Sequence, residues 1–372
     1  MLEIIELVSK KDLLEFIRFP FSLYKDDPFF SPLPVMEQKR VFSHDNPFFN
    51  YADIKFFLLR EEGRTLGRVA SIINKRHLAI HKDGVGFFGF YESVNDAKAA
   101  RMLLEKVSQE LKEAGLKAMR GPMNFSTNEE CGFLIEGFDW PPMIMTPYNP
   151  PYYGPLMEEC GMKKAKDLFA SMLPMPEELP PKVNRVADIA EKKGVRVRNV
   201  RMRHLKEELR LFKEVYNSSW KENWGFIPLM DDELAHMAKK LKGILIPELT
   251  LIAEYDNSPV GFLGLVPDMN QVLRIIKGRL GPVEIIKALY YSKRIDALRL
   301  MLLGIKEEWR AKGVDALLFA KGFEGIKGQK GDPFKKVELS WLLEDNLPVI
   351  RITEMMGARL YKRFRVYEKE IK

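Results

Sequence analysis

The segment L-R-L-M-L-L-G-I (Leu298–Ile305), followed by K-E-E-W-R-A-K-G-V-D-A-L-L (Lys306–Leu318), decides the fold. Eight mostly apolar residues bounded by a turn predict a buried strand. Arg310, Ala311, Lys312 and Gly313 then open a helical pattern. A helix start that carries Arg, Lys and Gly suits an anion, because free N–H groups and the positive end of the dipole face one point. Next come E-L-S-W-L-L-E-D-N (Glu338–Asn346), a segment ending at Gly357, and Y-K-R-F-R-V-Y (Tyr361–Tyr367).

Working outward, the same ending occurs twice. Tyr148–Leu168 reads Y-N-P-P-Y-Y-G-P-L-M-E-E-C-G-M-K-K-A-K-D-L, and Asp345–Phe364 reads D-N-L-P-V-I-R-I-T-E-M-M-G-A-R-L-Y-K-R-F. Each has an Asn, a nearby Pro, a short helical pattern, a Gly and a basic strand. The Asn-to-Gly spacing is 12 from Asn149 to Gly161 and 11 from Asn346 to Gly357. Both glycines stand where a helix closes on a left-handed residue. Between the halves, Pro174, Pro176, Pro180 and Pro181 predict an extended linker. These features predict an internal repeat with domains at 1–178 and 179–372.

Each half reads as α/β. In the first, strands are predicted at Leu2–Val8, Ile54–Arg60, Arg64–Ile73, Val85–Tyr91 and Lys117–Gly121, with helices at Lys11–Phe19 and Ala97–Ala114. Glu62-Gly63 is a predicted turn. In the second, strands at Val195–Val200, Leu249–Tyr255 and Val260–Val266 accompany helices at Leu205–Trp220 and Asp231–Leu241. The glycines Gly322, Gly325, Gly328 and Gly331 lack a Walker G-K-[ST] ending and predict a flexible loop over a cleft. The basic, apolar stretch Val272–Leu303 is expected to pack as an ordinary amphipathic helix, although it would also suit a lipid surface or an acyl chain.

Composition narrows the function. With 372 residues, 46% hydrophobic and 30% charged, the chain has material for two globular cores. No apolar run reaches the ~20 residues needed to span a bilayer. The N-terminus carries Glu3 and Glu6 in its apolar stretch and lacks a basic n-region, so a cytoplasmic location is expected rather than secretion. Two cysteines, Cys131 and Cys160, make neither a disulfide framework nor a Cys-based zinc site. His77, His81 and Asp83 are close in sequence, but no further ligand cluster joins them, and no metal is expected. The net charge of +7 comes without a zinc-finger, RRM or basic-zipper signature, so no nucleic acid is expected.

The order of motifs from Leu298 to Tyr367 resembles the second half of a GCN5-related N-acetyltransferase (GNAT) domain. In that family R/Q-x-x-G-x-G/A binds the coenzyme A pyrophosphate. Here Arg310 and Gly313 match, Lys312 and Val314 fill open positions of the same loop and would join them in holding the cofactor, and Asp315 stands where the family prefers Gly or Ala. The first half further resembles tandem-GNAT-like bacterial proteins of similar length. The carrying residues are N-P-F-F (Asn46–Phe49), G-R-V-A (Gly67–Ala70), G-F-F-G-F-Y-E (Gly86–Glu92), G-P-M-N-F-S-T-N-E-E-C-G (Gly121–Gly132) and N-P-P-Y-Y (Asn149–Tyr153). The resemblance implies two tandem GNAT-like units, an α/β fold with mixed sheet, and acyl-CoA-dependent N-acyl transfer.

Acyl transfer to an amine needs a polarised carbonyl, a deprotonated amine and a protonated leaving thiolate. By resemblance, Leu303, Gly304 and Ile305 would pair with the pantetheine arm, with Gly304 as bulge or close-approach point. Asn346 would precede the helix that flanks the cofactor. Glu338, on a strand with a polar face, is a general-base candidate, directly or through water; a salt bridge to nearby Lys or Arg is the competing assignment. The family's proton donor is a Tyr after the Asn. The second half has none there and offers Tyr361 only later, whereas the first half has Tyr152 and Tyr153. Glu92 and Asp96 crowd the corresponding helix start of the first half, which is expected to lack the cofactor and to serve as scaffold or acceptor site. There Asn128, Glu129 and Tyr153 are substrate-binding candidates, Glu129 for a cationic amine. The acceptor is expected to be a small-molecule or lipid-like amine, and the sequence leaves room for a homo-oligomer. Two other classes fit the resemblance: an aminoacyl-tRNA-dependent transferase of the peptidoglycan type, and a non-catalytic ligand-binding protein.

Overall fold

The computed structural model describes residues 1–331 and 333–371, with backbone alone for Lys240 and Leu241. The chain divides into two compact units. The first takes Met1–Phe169, Asn270–Tyr291 and the chain from Tyr361 onward; the second takes Ala170–Met269 and Ser292–Leu360. The first change of unit thus comes before the expected 178/179 break, and two later segments return to the first unit.

The first unit contains β1 (Leu2–Glu6), α1 (Lys10–Leu23), α2 (Val35–Val41), β2 (Ala52–Glu61), β3 (Arg64–Asn74), α3 (Lys75–His81), β4 (Val85–Ser93), α4 (Ala97–Glu113), β5 (Ala118–Gly121), β6 (Phe133–Glu136) and α5 (Tyr153–Glu159). β7 (Lys163–Pro174) crosses the division at Phe169. The second unit contains α6 (Pro181–Lys192), β8 (Arg196–Asn199), α7 (Leu205–Ser219), α8 (Asp231–Leu241), β9 (Thr250–Tyr255) and β10 (Ser258–Pro267). The chain then returns to the first unit for α9 (Asn270–Ile276) and α10 (Pro282–Ser292). β11 (Ala297–Ile305), α11 (Val314–Lys327), β12 (Lys336–Leu343) and α12 (Leu347–Met355) complete the second unit, and β13 (Arg359–Glu370) ends in the first.

Within the first unit the strand order is β1-β2-β3-β4-β5-β13, with β6 also on β13; within the second it is β12-β11-β10-β9-β8. The β4–β5 and β11–β12 pairs are parallel, and β1 to β4 and β8 to β11 are antiparallel meanders. The strands of each unit pair in both senses, and β1 to β5 correspond in order to β8 to β12. The repeat reaches into turn chemistry. β2 and β3 join through Glu62-Gly63 (φ 49° and 81°), and β9 and β10 through Asp256-Asn257 (φ 47° and 58°). Such two-residue loops with positive φ match the twist of the strands they join. The helices before β7 and β13 close alike, at Gly161 (φ 77°) and Gly357 (φ 91°). The N–H of Met162 donates to Met157 O, and that of Ala358 to Thr353 O, both at 3.0 Å. This is the six-residue closing bond of a Schellman end.

Core packing obeys the helical period. α4 buries Ala99, Ala100, Leu103, Leu104, Val107 and Leu111 in a core with Phe57, Val69 and Phe88. In the second unit Val215 and Tyr216 of α7 meet Phe226, Leu234 and Phe262. Two expectations need correction. Gly322 and Gly325 lie inside α11 rather than in a flexible loop, because a Cβ on Gly325 would sit 2.3 Å from Glu248 O. The helix needs glycine for that approach. Val272–Leu303 is two short helices and a strand, and α10 buries none of its residues.

Candidate functional site

In each unit the parallel strands pair briefly and then part, making a fork. In the second unit β11 and β12 keep register only from Ala297↔Lys336 to Leu300↔Leu339. Beyond that point Leu302–Ile305 pair with β10, and the register against β10 slips at Met301, where two β11 residues face one. The bulge is therefore at Met301 rather than Gly304. Gly304 is the close-approach residue: a Cβ there would meet the Phe262 ring at 2.7 Å. Met301, Leu302, Leu303 and Ile305 are half-buried, which leaves an apolar, partly accessible wall along the fork. Leu300 and Leu339, the last paired residues, also line an apolar pocket with Leu263, Phe319, Phe323 and Met356.

A buried ionic cluster sits at the same place. Arg299 and Glu338 are register partners, 3% and 0% exposed, with Nε and Oε1 3.5 Å apart. Ser340 Oγ donates to Glu338 Oε1 (2.6 Å) and accepts from Arg299 Nε (2.8 Å). The carboxylate is closed to solvent, with Oε1 held by Ser340.

From Ile305 the chain makes a 3-10 turn (Glu307–Trp309) and enters α11, whose first turn no side chain caps. Arg310 Nη2 donates to Ser219 O (2.6 Å), and the Lys312 ammonium lies over the Trp309 ring at 4.7 Å. Gly313 has φ 83°, and its Cβ would lie 2.9 Å from Val186 O of α6. The glycine is thus needed for backbone conformation and helix packing in its own right. Val314, fully buried, begins the helix, and Asp315 lies in its first turn. Asn346 stands at the N-terminal cap of α12 without a side-chain bond to that helix.

The first unit builds the same fork and fills it. β4 and β5 pair from Val85↔Ala118 to Phe87↔Arg120, and the register of β3 against β4 also slips between Arg68 and Ala70. Phe90 takes φ 50° at this bulge. The chain after β5 then lies against β4. Met123 N donates to Phe88 O, and Phe90 N to Asn124 Oδ1, each at 2.8 Å. Gly89 allows the contact, since a Cβ would fall 1.9 Å from Met123 O. At the end of β4, Ser93 N donates to the Tyr153 hydroxyl and the Tyr152 hydroxyl donates to Ser93 O, both at 2.8 Å.

A second ionic cluster lies beneath. Tyr24 and Tyr153 both donate to Glu92 Oε2 at 2.7 Å, and Arg68 Nη2 lies 3.7 Å from Oε1. Burial raises the Glu92 carboxyl above its usual range, with Arg68 and the two hydroxyls opposing. Burial lowers Arg68, which also donates to Phe16 O at 2.7 Å. Tyr152 is pushed up to about 12 by burial and then by Glu92. Asp96 caps α4 through Ala99 N (2.7 Å), closing the helix start to an anion.

Tyr361, counted with the first unit, packs edge-on against Trp140. Asn128 and Glu129 belong to a tight loop, with Asn128 N on Ser126 Oγ (3.2 Å) and Glu129 N on Ser126 O (3.1 Å). The structure therefore brings Leu303, Gly304, Ile305 and Glu338 to one fork, and gathers Tyr152 and Tyr153 at the other. His77 stacks on His81 at 4.4 Å and holds Asp83 at 3.1 Å; burial pushes its imidazole down to about 4. Among the described residues no group of three or more His, Cys, Asp or Glu is placed to hold a metal. Sequence reasoning missed Arg68, Tyr24 and Arg299 as members of these clusters. The visible signal was a lone arginine inside an apolar strand, in G-R-V-A and in L-R-L.

No protein-family model matches the chain. Two solved structures share its fold across its whole length. A tandem GNAT protein from the clavulanic acid biosynthesis pathway aligns with TM-score 0.58 at 12% identity, covering 100% of this chain and 99% of that one. A GCN5-related N-acetyltransferase from Sphaerobacter thermophilus gives 0.53 at 14%, covering 100% and 96%. The fold is therefore the tandem GNAT fold. Among curated relatives, Protein YghO of Escherichia coli is 31% identical over 98% of this chain and 94% of its own length. The bacterial ceramide synthase of Caulobacter vibrioides is 30% identical over 100% and 98%. The chain belongs to the family that contains Protein YghO and this bacterial ceramide synthase, and it folds as a tandem GNAT protein.

Proposed function

We propose that the protein is an acyl-CoA-dependent N-acyltransferase that holds the thioester at the β11–β12 fork and passes the acyl chain to a lipid-like amine. The open fork beside a wholly apolar pocket carries this assignment. The edge Leu302–Ile305 would pair with the pantetheine arm, and a backbone N–H at the Met301 bulge would face the developing oxyanion. The first turn of α11 and the Arg310 and Lys312 side chains fit an anionic pyrophosphate, since no side chain caps that turn. The amine attacks the thioester carbon, a C–N bond forms as the C–S bond breaks, and the amine's proton must leave while the thiolate gains one. Glu338, acting through Ser340 or water, is the assigned acceptor of that proton. The same Ser340 or water relay would return a proton to the departing thiolate; Tyr152, bonded to Ser93 O, and Tyr361, against Trp140, belong to the first unit and take no part in this step. Asn346, whose side chain makes no bond to α12, would be left to face the cofactor.

The acceptor class is supported by kinship with a protein named for making ceramide, an amide of a long-chain amine. Tyr153, fully buried and bonded to Ser93 N and Glu92, is withdrawn as an acceptor-side candidate, and Asn128 and Glu129 remain candidates for a ligand of the first unit alone. The test combines calorimetry with coenzyme A, acetyl-CoA and long-chain acyl-CoA with mass spectrometry of products from a long-chain amino alcohol. Tight long-chain acyl-CoA binding and amide formation are expected. Preference for acetyl-CoA with a short polar amine would sink the lipid assignment, and binding without any turnover would favour a non-catalytic ligand-binding protein.

A further inference from the structure

α10 is a helix turned inside out. At 3.6 residues per turn, Ile285, Leu289, Ile286, Tyr290 and Val283 fall within roughly 160° of arc. An apolar face this wide ordinarily packs on a core. Here it faces solvent: Ile286 is 68% exposed, Leu289 63%, Val283 58% and Tyr290 52%. The less exposed residues of the middle turns are Glu284 and Ala288, on the opposite side. The base of the insertion is firmly seated. Val272 and Ile276 are buried, Asn270 Nδ2 donates to Pro142 O at 3.0 Å, and Gly278 (φ 72°) lies against Phe21, whose ring a Cβ would meet at 2.5 Å. An anchored hairpin thus presents one exposed apolar helix.

Charge selects the occupant. Between Arg274 and Arg294 the sequence carries six basic residues and one acidic residue, Glu284. Lys277, Arg279 and Lys287 are exposed. A second copy seated face to face would bring two such positive segments together, and like-charge juxtaposition is costly. An anionic lipid surface instead satisfies both features, taking apolar side chains below the headgroups and basic ones among them. Tyr290, with an apolar ring and a polar hydroxyl, suits the same boundary.

We propose that α10 is a peripheral docking element that seats the protein on an anionic lipid surface. It rests on the exposed face and its basic flanks, independently of the acyl-transfer assignment. The test is co-sedimentation of the full chain with vesicles of phosphatidylcholine alone and of equal parts phosphatidylcholine and phosphatidylglycerol. Retention on the mixed vesicles is expected, weakened by high salt and on the order of tenfold lower on phosphatidylcholine alone. Ile286→Asp with Leu289→Asp should cut retention by on the order of tenfold or more while leaving the melting temperature unchanged, because both side chains are exposed. The pair Lys277→Glu and Lys287→Glu provides a second variant that leaves the apolar face intact, and it too should weaken retention. Equal retention on both vesicle types, no retention on either, or variants that bind like the parent would overturn the proposal. So would a dimer in sedimentation equilibrium that the Ile286→Asp, Leu289→Asp variant dissociates.

Discussion

In the first unit β4 and β5 part after Phe87 and Arg120, and the gap receives Met123, Asn124 and the Tyr153 hydroxyl. In the second, β11 and β12 part after Leu300 and Leu339, and β11 beyond the bulge keeps half-buried apolar residues along the gap. Both forks share the strand order, the bulge and a buried Arg–Glu cluster. The difference lies in the connection that leaves the second parallel strand. After Gly121 the chain turns back along β4, whereas after Leu343 it goes directly into α12. One repeat of the fold has thus filled its fork with internal bonds, while the other keeps a partly accessible apolar edge. A connection of 31 residues carrying β6 (122–152) against one of three (344–346), not the scaffold, separates the two.

The largest effects should come from the two ionic clusters. Glu92→Ala and Glu338→Ala each leave a buried arginine without its carboxylate, at a cost of about 3–5 kcal/mol in denaturant unfolding. The comparison is sharpened by binding. Of the milder pair Glu92→Gln and Glu338→Gln, the second alone should weaken acyl-CoA binding in calorimetry. If Glu92→Gln abolishes binding and Glu338→Gln leaves it intact, the assignment of forks is reversed.

Next in size is the charge at the start of α11. Arg310→Glu with Lys312→Glu should weaken acyl-CoA binding by about tenfold, as two exposed attractions become repulsions. Gly313→Val is a poor probe of the same point, since strain at φ 83° and contact with Val186 would destabilise the unit whether or not a phosphate sits there.

A smaller effect is a pH dependence confined to the first unit. Glu92 has its carboxyl raised above the ordinary value of 4.5, chiefly by burial. The native state therefore holds this proton at pH values where the unfolded chain has released it. The resulting stability is present below the unfolded value and lost as pH rises through the folded one. Asp167 has the opposite sign. Burial alone would raise it, but Arg365, bonded at 2.8 and 3.0 Å, together with Lys164 more than offsets this, so its contribution is lost as pH falls. Urea midpoints taken from pH 4 upward should fall less steeply in Glu92→Gln than in the parent. An identical slope in both would show that the Glu92 proton is not coupled to folding.

Local chemistry was legible in the sequence, and long-range filling was not. Glu62-Gly63, Gly161 and Gly357 announce their turns because positive φ is a property of one or two residues. The strand and helix around Gly313 were equally legible from pattern. The stitch between Phe90 and Asn124 joins residues 34 positions apart, and nothing near either predicts it. The return of β13 to pair Tyr367 with Gly121 is similarly non-local. For the same reason Glu92 reads in sequence as a crowded helix start, while in the fold Tyr24 and Tyr153 reach it from 68 and 61 residues away. α10 misled in another way: its pattern is that of a packed helix, whereas Val283, Ile285, Ile286, Leu289 and Tyr290 are exposed.

The smallest expected effect is also the most discriminating, because it has opposite signs in two measurements. Asp315 lies in the first turn of α11, where a carboxylate is favoured by the helix dipole by about 0.3–1 kcal/mol. If the same turn receives the pyrophosphate, the carboxylate also repels it over a short distance. Asp315→Asn should therefore lower stability slightly while tightening acyl-CoA binding by about two- to fivefold, the range that corresponds to the same dipole-scale energies. A purely structural helix start would lose stability and leave binding unchanged. The corresponding change in the first unit, Asp96→Asn, keeps a capping side chain on Ala99 N and should alter neither quantity by much. Tightening at Asp315 without any response at Asp96 would place the anion at the second fork. Tightening at Asp96 instead would mean that the filled fork opens to ligand, and the contrast between the two units would have to be abandoned.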